Sequence, residues 1–118
     1  MKVLIVVDAQ NDFIDGALGT PEAVAAVPHI VDKIKKYNRK DLLIIKTLDA
    51  HSNNYLNTFE GKRLPVKHCI YGTEGQKFND KIEDAIFHDT RDGWIIQIDK
   101  YSFGTTDIEN VIHKMCNR

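Results

Sequence analysis

Cysteine, proline and any excess of one charge are all scarce in this sequence of 118 residues. It holds two cysteines and three prolines, and its 16 lysines and arginines nearly balance 17 aspartates and glutamates. Two cysteines are too few for a disulfide scaffold, which favours a reducing, cytoplasmic location. The formal net charge of −1 gives no electrostatic basis for binding nucleic acid or an anionic membrane surface.

Long apolar runs and nucleotide-binding motifs are also missing. No apolar run approaches the roughly 20 residues that a helix needs to cross a bilayer, which excludes a transmembrane protein. The glycines between residues 72 and 77 lack the spacing of a phosphate-binding P-loop, and no G-x-G-x-x-G or G-x-S-x-G motif follows an apolar run. Nucleotide binding and the nucleophile elbow of serine hydrolases are therefore unsupported.

The sequence does contain three short apolar runs with strand character and two segments with helical spacing. Val3–Val7, Leu42–Ile45 and Trp94–Ile98 are typical of strands covered on both faces. Pro28 is predicted to lie in the first turn of one helix, and Thr106 with Glu109 predicts a capping box for another. The apolar helix faces are Ile30, Val31, Ile34 and Tyr37, then Ile108, Val111, Ile112 and Met115. This alternation predicts a three-layer α/β fold with a parallel, Rossmann-like sheet.

The predicted elements form one domain over residues 1–118 that holds about half of a complete sheet of this type. The first strand of such sheets normally lies centrally, so ending the chain after the last helix would leave one edge of that strand unpaired. We therefore expect the domain to be truncated at its C-terminus. We also expect a homo-oligomer or another partner to cover the open edge.

Polar residues follow each predicted strand at its carboxyl end. Asp8–Phe13 follows the first strand, Asp49–His51 the second and Asp99–Ser102 the third. Ligands of open α/β sheets bind at these ends, so we expect the three groups to face one crevice. The unpatterned segment 49–75 is typical of a functional loop. Any one of these residues could instead cap a helix or solvate a turn.

Asp49 and His51 are separated by one residue, so their side chains would leave an extended segment on the same face. His68 could complete a His-His-carboxylate set, which suits Zn²⁺, or Fe²⁺ and Mn²⁺ when water fills the other positions. The alternative is that each histidine is an ordinary surface or hydrogen-bonded residue. The remaining candidates are interpreted as structural: His29, His88, His113 and, as small buried apolar residues, Cys69 and Cys116.

Asp8 and Lys100 form a second candidate pair. A carboxylate held near a lysine stays ionised, and the lysine can stabilise negative charge on a neighbouring nucleophile. Such a pair needs a thiol or hydroxyl as its third member. The alternative is a salt bridge between two strand ends.

Taken together, four segments resemble the isochorismatase-like cysteine hydrolases, and within them the nicotinamidase-related amidases. They follow the family's order and span nearly the whole chain: Val7–Leu18, Thr47–His51, Leu64–Gly75 and Asp99–Phe103. The resemblance implies an Asp-Lys-Cys triad in which Asp8 takes the thiol proton and later activates water. Lys100 would favour the thiolate and the charged intermediate.

The resemblance also implies a metal site and a substrate pocket. Asp49, His51 and His68 match ligands of a divalent ion, with zinc as the first choice and iron or manganese as alternatives. That ion and its waters would hold the pyridine nitrogen of a small amide. Phe13 matches an aromatic residue that lines the pocket, although a role in the core is equally compatible with its position.

The nucleophilic cysteine of these relatives has no match in the sequence. It is expected after a fourth strand, whereas Cys69 adjoins a proposed ligand and Cys116 lies on the last helix. The leading hypothesis is a metal-assisted cysteine amidase for nicotinamide or a similar small amide, of which this chain is the N-terminal portion. The alternatives are a non-catalytic metal-binding or regulatory module and a flavodoxin-like ligand binder.

Overall fold

A computed structural model describes residues 1–88, 93–101 and 105–116. Its strands are β1 (Lys2–Val7), β2 (Leu42–Asp49) and β3 (Trp94–Lys100). Its helices are α1 (Asn11–Ile14), α2 (Pro21–Lys35), α3 (Phe59–Arg63), α4 (Asp80–Phe87) and α5 (Asp107–Cys116), with 3₁₀ turns at Tyr55–Asn57 and Glu74–Gln76. No helix in these ranges is long and apolar enough to span a bilayer.

The strands form a parallel sheet in the order β1-β2-β3, which confirms the predicted α/β class. In its register Val7 lies beside Thr47, and Asp49 lies beside Lys100. Parallel pairing therefore brings the carboxyl ends of all three strands to one edge. Asp8, Asp49 and Lys100 lie at these carboxyl ends.

Of the three strands that the structure describes, only β2 is covered on both faces, with all eight of its residues buried. The expectation of two covered faces is wrong for the other strands, since Val7 is 63% exposed and Trp94 is 42% exposed. Both strands lie at edges of the described sheet, where an apolar β-branched pattern overstates burial. Within the described residues β1 pairs with β2 alone.

Helices pack on both faces of the sheet. On one face α2 and α4 cover a core that includes Ile44 and Leu48 of β2. On the other face the apolar side of α5 covers Leu43 and Ile45, as its spacing predicted. The polar site thus sits at the end of a sheet whose central strand is held from both sides.

The start of α2 corrects the prediction made from Pro28. Pro21 occupies the first turn instead, directly after Thr20, whose Oγ1 accepts a hydrogen bond from the Ala23 N–H at 3.0 Å. Pro28 lies inside the helix. Both prolines satisfy the rule for a first turn, and only the preceding capping threonine distinguishes them. The predicted apolar face packs against the core as expected.

Two further differences concern helix ends. α4 is not among the helices predicted from the sequence, although Asn79 accepts hydrogen bonds from the Lys81 and Ile82 amides and so caps it. α5 begins at Asp107, which places Thr106 at the N-cap position as predicted. The side-chain bonds of the predicted box between Thr106 and Glu109 are absent among the described residues, where instead the Thr105 Oγ1 accepts from the Asp107 N–H at 3.1 Å.

Candidate active site

Asp8, Asp49 and Lys100 meet at the carboxyl edge of the sheet. The Lys100 Nζ lies 2.7 Å from Asp8 Oδ2 and 3.8 Å from Asp49 Oδ1. The lysine side chain is 10% exposed, so this cation is nearly enclosed by the two carboxylates. The two candidate groups of the sequence analysis are therefore neighbours in one site. Of the third polar segment, residues 102 and 103 lie outside the described ranges.

Asp8 is held by the neighbouring strand. Its amide donates to the Thr47 carbonyl at 2.9 Å, and its Oδ1 accepts from the Thr47 hydroxyl at 2.6 Å. The backbone of Asp8 adopts a left-handed conformation with a φ of +51°. Non-glycine residues seldom adopt this conformation, and Asp is among those that tolerate it best. The carboxylate is thereby fixed with one oxygen on Thr47 and the other on Lys100.

Asp49, His51 and His68 form a compact buried group. Asp49 Oδ2 lies 3.2 Å from His51 Nε2 and 3.7 Å from His68 Nε2. One donor atom from each residue lies within 4.8 Å of the others. Tetrahedral zinc, with bonds of about 2.0–2.2 Å, keeps its ligand atoms roughly 3.3 Å apart. The spacing therefore fits a divalent ion after small side-chain adjustments.

The hydrogen bond of His68 favours the tautomer that a metal ligand needs. His68 Nδ1 lies 2.8 Å from the Val66 carbonyl oxygen, which can only accept. A proton on Nδ1 leaves the Nε2 lone pair facing Asp49 and His51. A ligand histidine commonly donates its other ring N–H to a carbonyl in this way. The donor set thus has the chemistry of a metal site.

Aromatic rings surround the two histidines. The Phe13 ring centroid lies 5.4 Å from that of His68. Tyr55 is buried and contacts both histidine rings, at 4.7 Å from His51 and 5.0 Å from His68. Burial, with smaller contributions from Glu60 and Asp49, raises the pKa of Tyr55. Phe13 therefore lies beside the candidate metal group, and its role in lining a substrate pocket stays a prediction.

Three residues near the site were not identified as candidates from the sequence. Glu60 Oε2 lies 3.9 Å from His51 Nε2, which adds a second carboxylate to the group. Gln10 is fully buried, and its side chain makes two hydrogen bonds to the Asp49 backbone at 2.8 and 2.9 Å. Asp12 accepts from the amide that follows His68 at 2.8 Å. Gln10 and Asp12 belong to the polar segment after β1, so their position was the available signal.

Cys69 is inaccessible and is not a competent nucleophile. It is fully buried, as expected for a small apolar residue. Burial raises the pKa of its thiol to about 12, and the nearby Asp49 carboxylate adds to this effect. A thiol with this pKa stays protonated at neutral pH, whereas the thiolate is the reactive form.

The expectation of burial is wrong for Cys116, which is exposed at the end of α5. Its Sγ lies 3.8 Å from the Met1 sulfur, away from the polar edge of the sheet. The error has a simple cause, because Cys116 follows the buried Met115 and so points off the apolar face of the helix. His29, His88 and His113 are exposed and lie outside the metal-ligand group.

A family model described as the isochorismatase domain matches residues 2–114. The chain belongs to this family. The nicotinamidase of Saccharomyces cerevisiae is 30% identical to it, over 73% of this chain and 52% of the yeast protein. The chain therefore spans about half the length of that relative, and the family match extends across all five helices up to residue 114.

Solved structures agree with this family membership. The pyrazinamidase of Pyrococcus horikoshii, determined in complex with zinc, superposes with a TM-score of 0.68 at 30% identity, over 96% of this chain and 64% of that one. The nicotinamidase/pyrazinamidase of Bacillus subtilis gives a TM-score of 0.73 at 26% identity, over 97% and 66%. The α/β fold of this chain is thus shared with isochorismatase-family structures over about two thirds of their length.

Proposed function

We propose that this chain is part of a metal-dependent cysteine amidase that hydrolyses a small carboxamide to the acid and ammonia. The observation that carries the proposal is that the Lys100–Asp8 ion pair lies within 3.8 Å of the carboxylate that joins the Asp49–His51–His68 group. A salt bridge alone would not require a metal-type donor set beside it. Nicotinamide is the leading substrate, because the yeast and Bacillus subtilis relatives are nicotinamidases.

In this proposal Asp8 and Lys100 prepare the nucleophile. Asp8 Oδ2 accepts the proton of an incoming thiol and gives it to the departing ammonia. It then takes a proton from the water that hydrolyses the thioester, which releases the acid product and returns the thiol. Lys100 stabilises the thiolate and the negative charge that develops on the substrate. Cys69 is fully buried, and Cys116 lies beside Met1, at the opposite end of β1 from Asp8. We therefore propose that residues 1–118 form part of one domain and that a segment outside this sequence supplies the cysteine.

Asp49, His51 and His68 would hold the divalent ion, with zinc preferred and iron or manganese as alternatives. The bound ion would supply a Lewis-acidic position for the ring nitrogen of the substrate. Phe13 orients the substrate by presenting its ring beside His68, 5.4 Å between centroids. Tyr55 restricts water from the opposite side of both histidines by filling the space with a buried ring.

The test is ammonia release from nicotinamide by the full-length protein, measured together with zinc affinity. Asp8→Asn should lower kcat by roughly 10²–10⁴-fold and leave zinc bound, because proton transfer by a positioned side chain is worth about that factor. His51→Ala should abolish tight zinc binding. Lys77→Ala is the matched control, since Lys77 forms an exposed pair with Glu74 outside the site and should change neither quantity. Retained turnover in Asp8→Asn would contradict the assignment of the base.

The second candidate function is a metal-binding or regulatory module without catalysis. It is favoured by the state of the two cysteines, one fully buried and one exposed far from the ion pair. It predicts zinc binding with no ammonia release, together with a second copy or a partner on the open edge of β1. Native mass spectrometry of the full-length protein distinguishes these assemblies from a monomer.

A further inference from the structure

We propose that Asp12 is a positioning residue for the metal centre. Its carboxylate holds the peptide between His68 and Cys69 so that the His68 ring faces Asp49. This inference rests on the proposed metal site. It assigns a task to a carboxylate that touches neither the ion pair nor the three donor atoms. The task follows from one long-range hydrogen bond and from the conformation of the residue that it reaches.

The hydrogen bond joins two segments that are 57 residues apart in the chain. Asp12 Oδ2 accepts from the Cys69 N–H at 2.8 Å. This amide belongs to the peptide that follows His68 directly. A hydrogen bond to an ionised carboxylate is of the stronger kind, so it can fix the orientation of the peptide. The second oxygen, Oδ1, has only a long contact of 3.3 Å with the Ala17 amide.

The peptide needs such a restraint because Cys69 is held in a left-handed conformation. Its φ is +47°, which is uncommon for a residue other than glycine, asparagine or aspartate. A strained conformation persists only when its surroundings enforce it, and such residues cluster at functional sites. If Cys69 relaxed to an ordinary φ, the peptide plane would turn and take the His68 side chain with it.

Cys69 also connects the two histidines. Its carbonyl accepts from the His51 N–H at 2.9 Å, and the Tyr71 amide donates to the His51 carbonyl at 2.8 Å. A shift at Cys69 would therefore disturb both histidine ligands. The third ligand is secured independently, because the Gln10 side chain bonds both the amide and the carbonyl of Asp49.

The Asp12 carboxylate occupies a slot between two glycines. A Cβ at Gly75 would overlap both carboxylate oxygens, and a Cβ at Gly16 would overlap Oδ1 and the Asp12 backbone. Gly75 has no positive φ, so alanine is compatible with its backbone and would act only through the overlap. This provides a way to displace the carboxylate without removing it.

The test is zinc affinity, measured by isothermal titration calorimetry on the full-length protein. We expect Asp12→Ala to bind zinc about 10–100-fold more weakly, as is typical for loss of an outer residue that orients a ligand. Asp12→Asn should stay within about three-fold, because its amide oxygen still accepts from the Cys69 N–H, although through a neutral and weaker bond. The Ala and Asn variants together separate the hydrogen bond from the negative charge.

A double-mutant cycle with Cys69→Gly tests the strain directly. Glycine adopts the left-handed conformation without a steric penalty, so Asp12→Ala should weaken zinc binding much less in the Cys69→Gly background. Gly75→Ala should weaken binding about as much as Asp12→Ala, with little further effect when the two are combined. This variant also keeps the test decisive if Asp12→Ala fails to fold.

Thr20→Ala is the control for general destabilisation. Thr20 caps α2 through the Ala23 amide, so its loss should lower stability in the presence of a chelator and leave zinc affinity unchanged. Equal zinc binding by Asp12→Ala and the wild type would overturn the positioning role and leave the metal site intact. Equal losses in Asp12→Ala and Asp12→Asn would overturn it in favour of a charge effect. No zinc binding by the wild type would overturn the metal site and this inference together.

Discussion

The ion pair between Asp8 and Lys100 should stabilise the fold as well as serve the proposed chemistry, and a double-mutant cycle can measure the first contribution. The two side chains are 20% and 10% exposed, and their charged atoms are 2.7 Å apart. At an effective dielectric constant of about 20, unit charges at this distance attract by roughly 6 kcal/mol before desolvation is subtracted. Desolvation of both groups offsets much of this attraction.

Removing one partner leaves the other charged and largely buried. Lys100→Met would leave Asp8 and Asp49 without their shared cation, and we expect the free energy of unfolding to fall by about 3 kcal/mol. Asp8→Asn should cost about 2 kcal/mol, because Lys100 remains close to Asp49. Asparagine also tolerates the left-handed backbone at position 8, so added strain should be small.

The free energy of unfolding of the double variant should fall by about 2 kcal/mol less than the sum of the two single losses. Neither Asp8 nor Lys100 then remains as a buried charge without its partner. Urea unfolding followed by circular dichroism at pH 7, with a chelator present, measures all four free energies. Activity should behave differently, with each single variant as impaired as the double, because the two residues act as a unit. Additive stability losses would refute the close pairing of these side chains.

Two further predictions test the core and the cysteines. Ile86→Ala should lower the free energy of unfolding by about 2–5 kcal/mol, because Ile86 is fully buried between α4 and the sheet. Val24→Ala, on the exposed face of α2, should change it by less than about 0.5 kcal/mol. Equal losses of the two variants in urea unfolding would contradict the packing. Iodoacetamide at pH 8 should modify the exposed Cys116 in the folded protein and reach Cys69 only after unfolding, because the Cys69 thiol is buried and burial raises its pKa to about 12. Peptide mass spectrometry detects both modified cysteines. Labelling of Cys69 in the folded protein would contradict its burial.

Elements with a strong local pattern were predictable from the sequence. The three strands were located by their β-branched runs, and the apolar face of α5 by its spacing. Local rules failed where two signals compete or where the pattern is short. Pro21 and Pro28 both satisfy the rule for a first turn. α4, which is capped by Asn79, has eight residues and is too short for a clear helical spacing of apolar residues.

The site was predictable in outline because topology alone brings its parts together. Parallel strands end on the same side of a sheet, so residues at the carboxyl ends of β1, β2 and β3 lie close together whatever the conformation of the loops. That argument places Asp8, Asp49 and Lys100 without any knowledge of side-chain contacts.

The residues that hold the site were not predictable in the same way. The bonds from Gln10 to Asp49 and from Asp12 to Cys69 join positions 39 and 57 residues apart, and no spacing rule relates them. They depend on how the segment after β2 folds back against α1. Short 3₁₀ turns and residues with strained backbone conformations set the course of this segment. The left-handed φ of Cys69 cannot be predicted from the sequence, because a cysteine, unlike a glycine, does not indicate such a conformation. The candidate site residues can therefore be predicted from the strand order, whereas the residues that orient them are identified only in the structure.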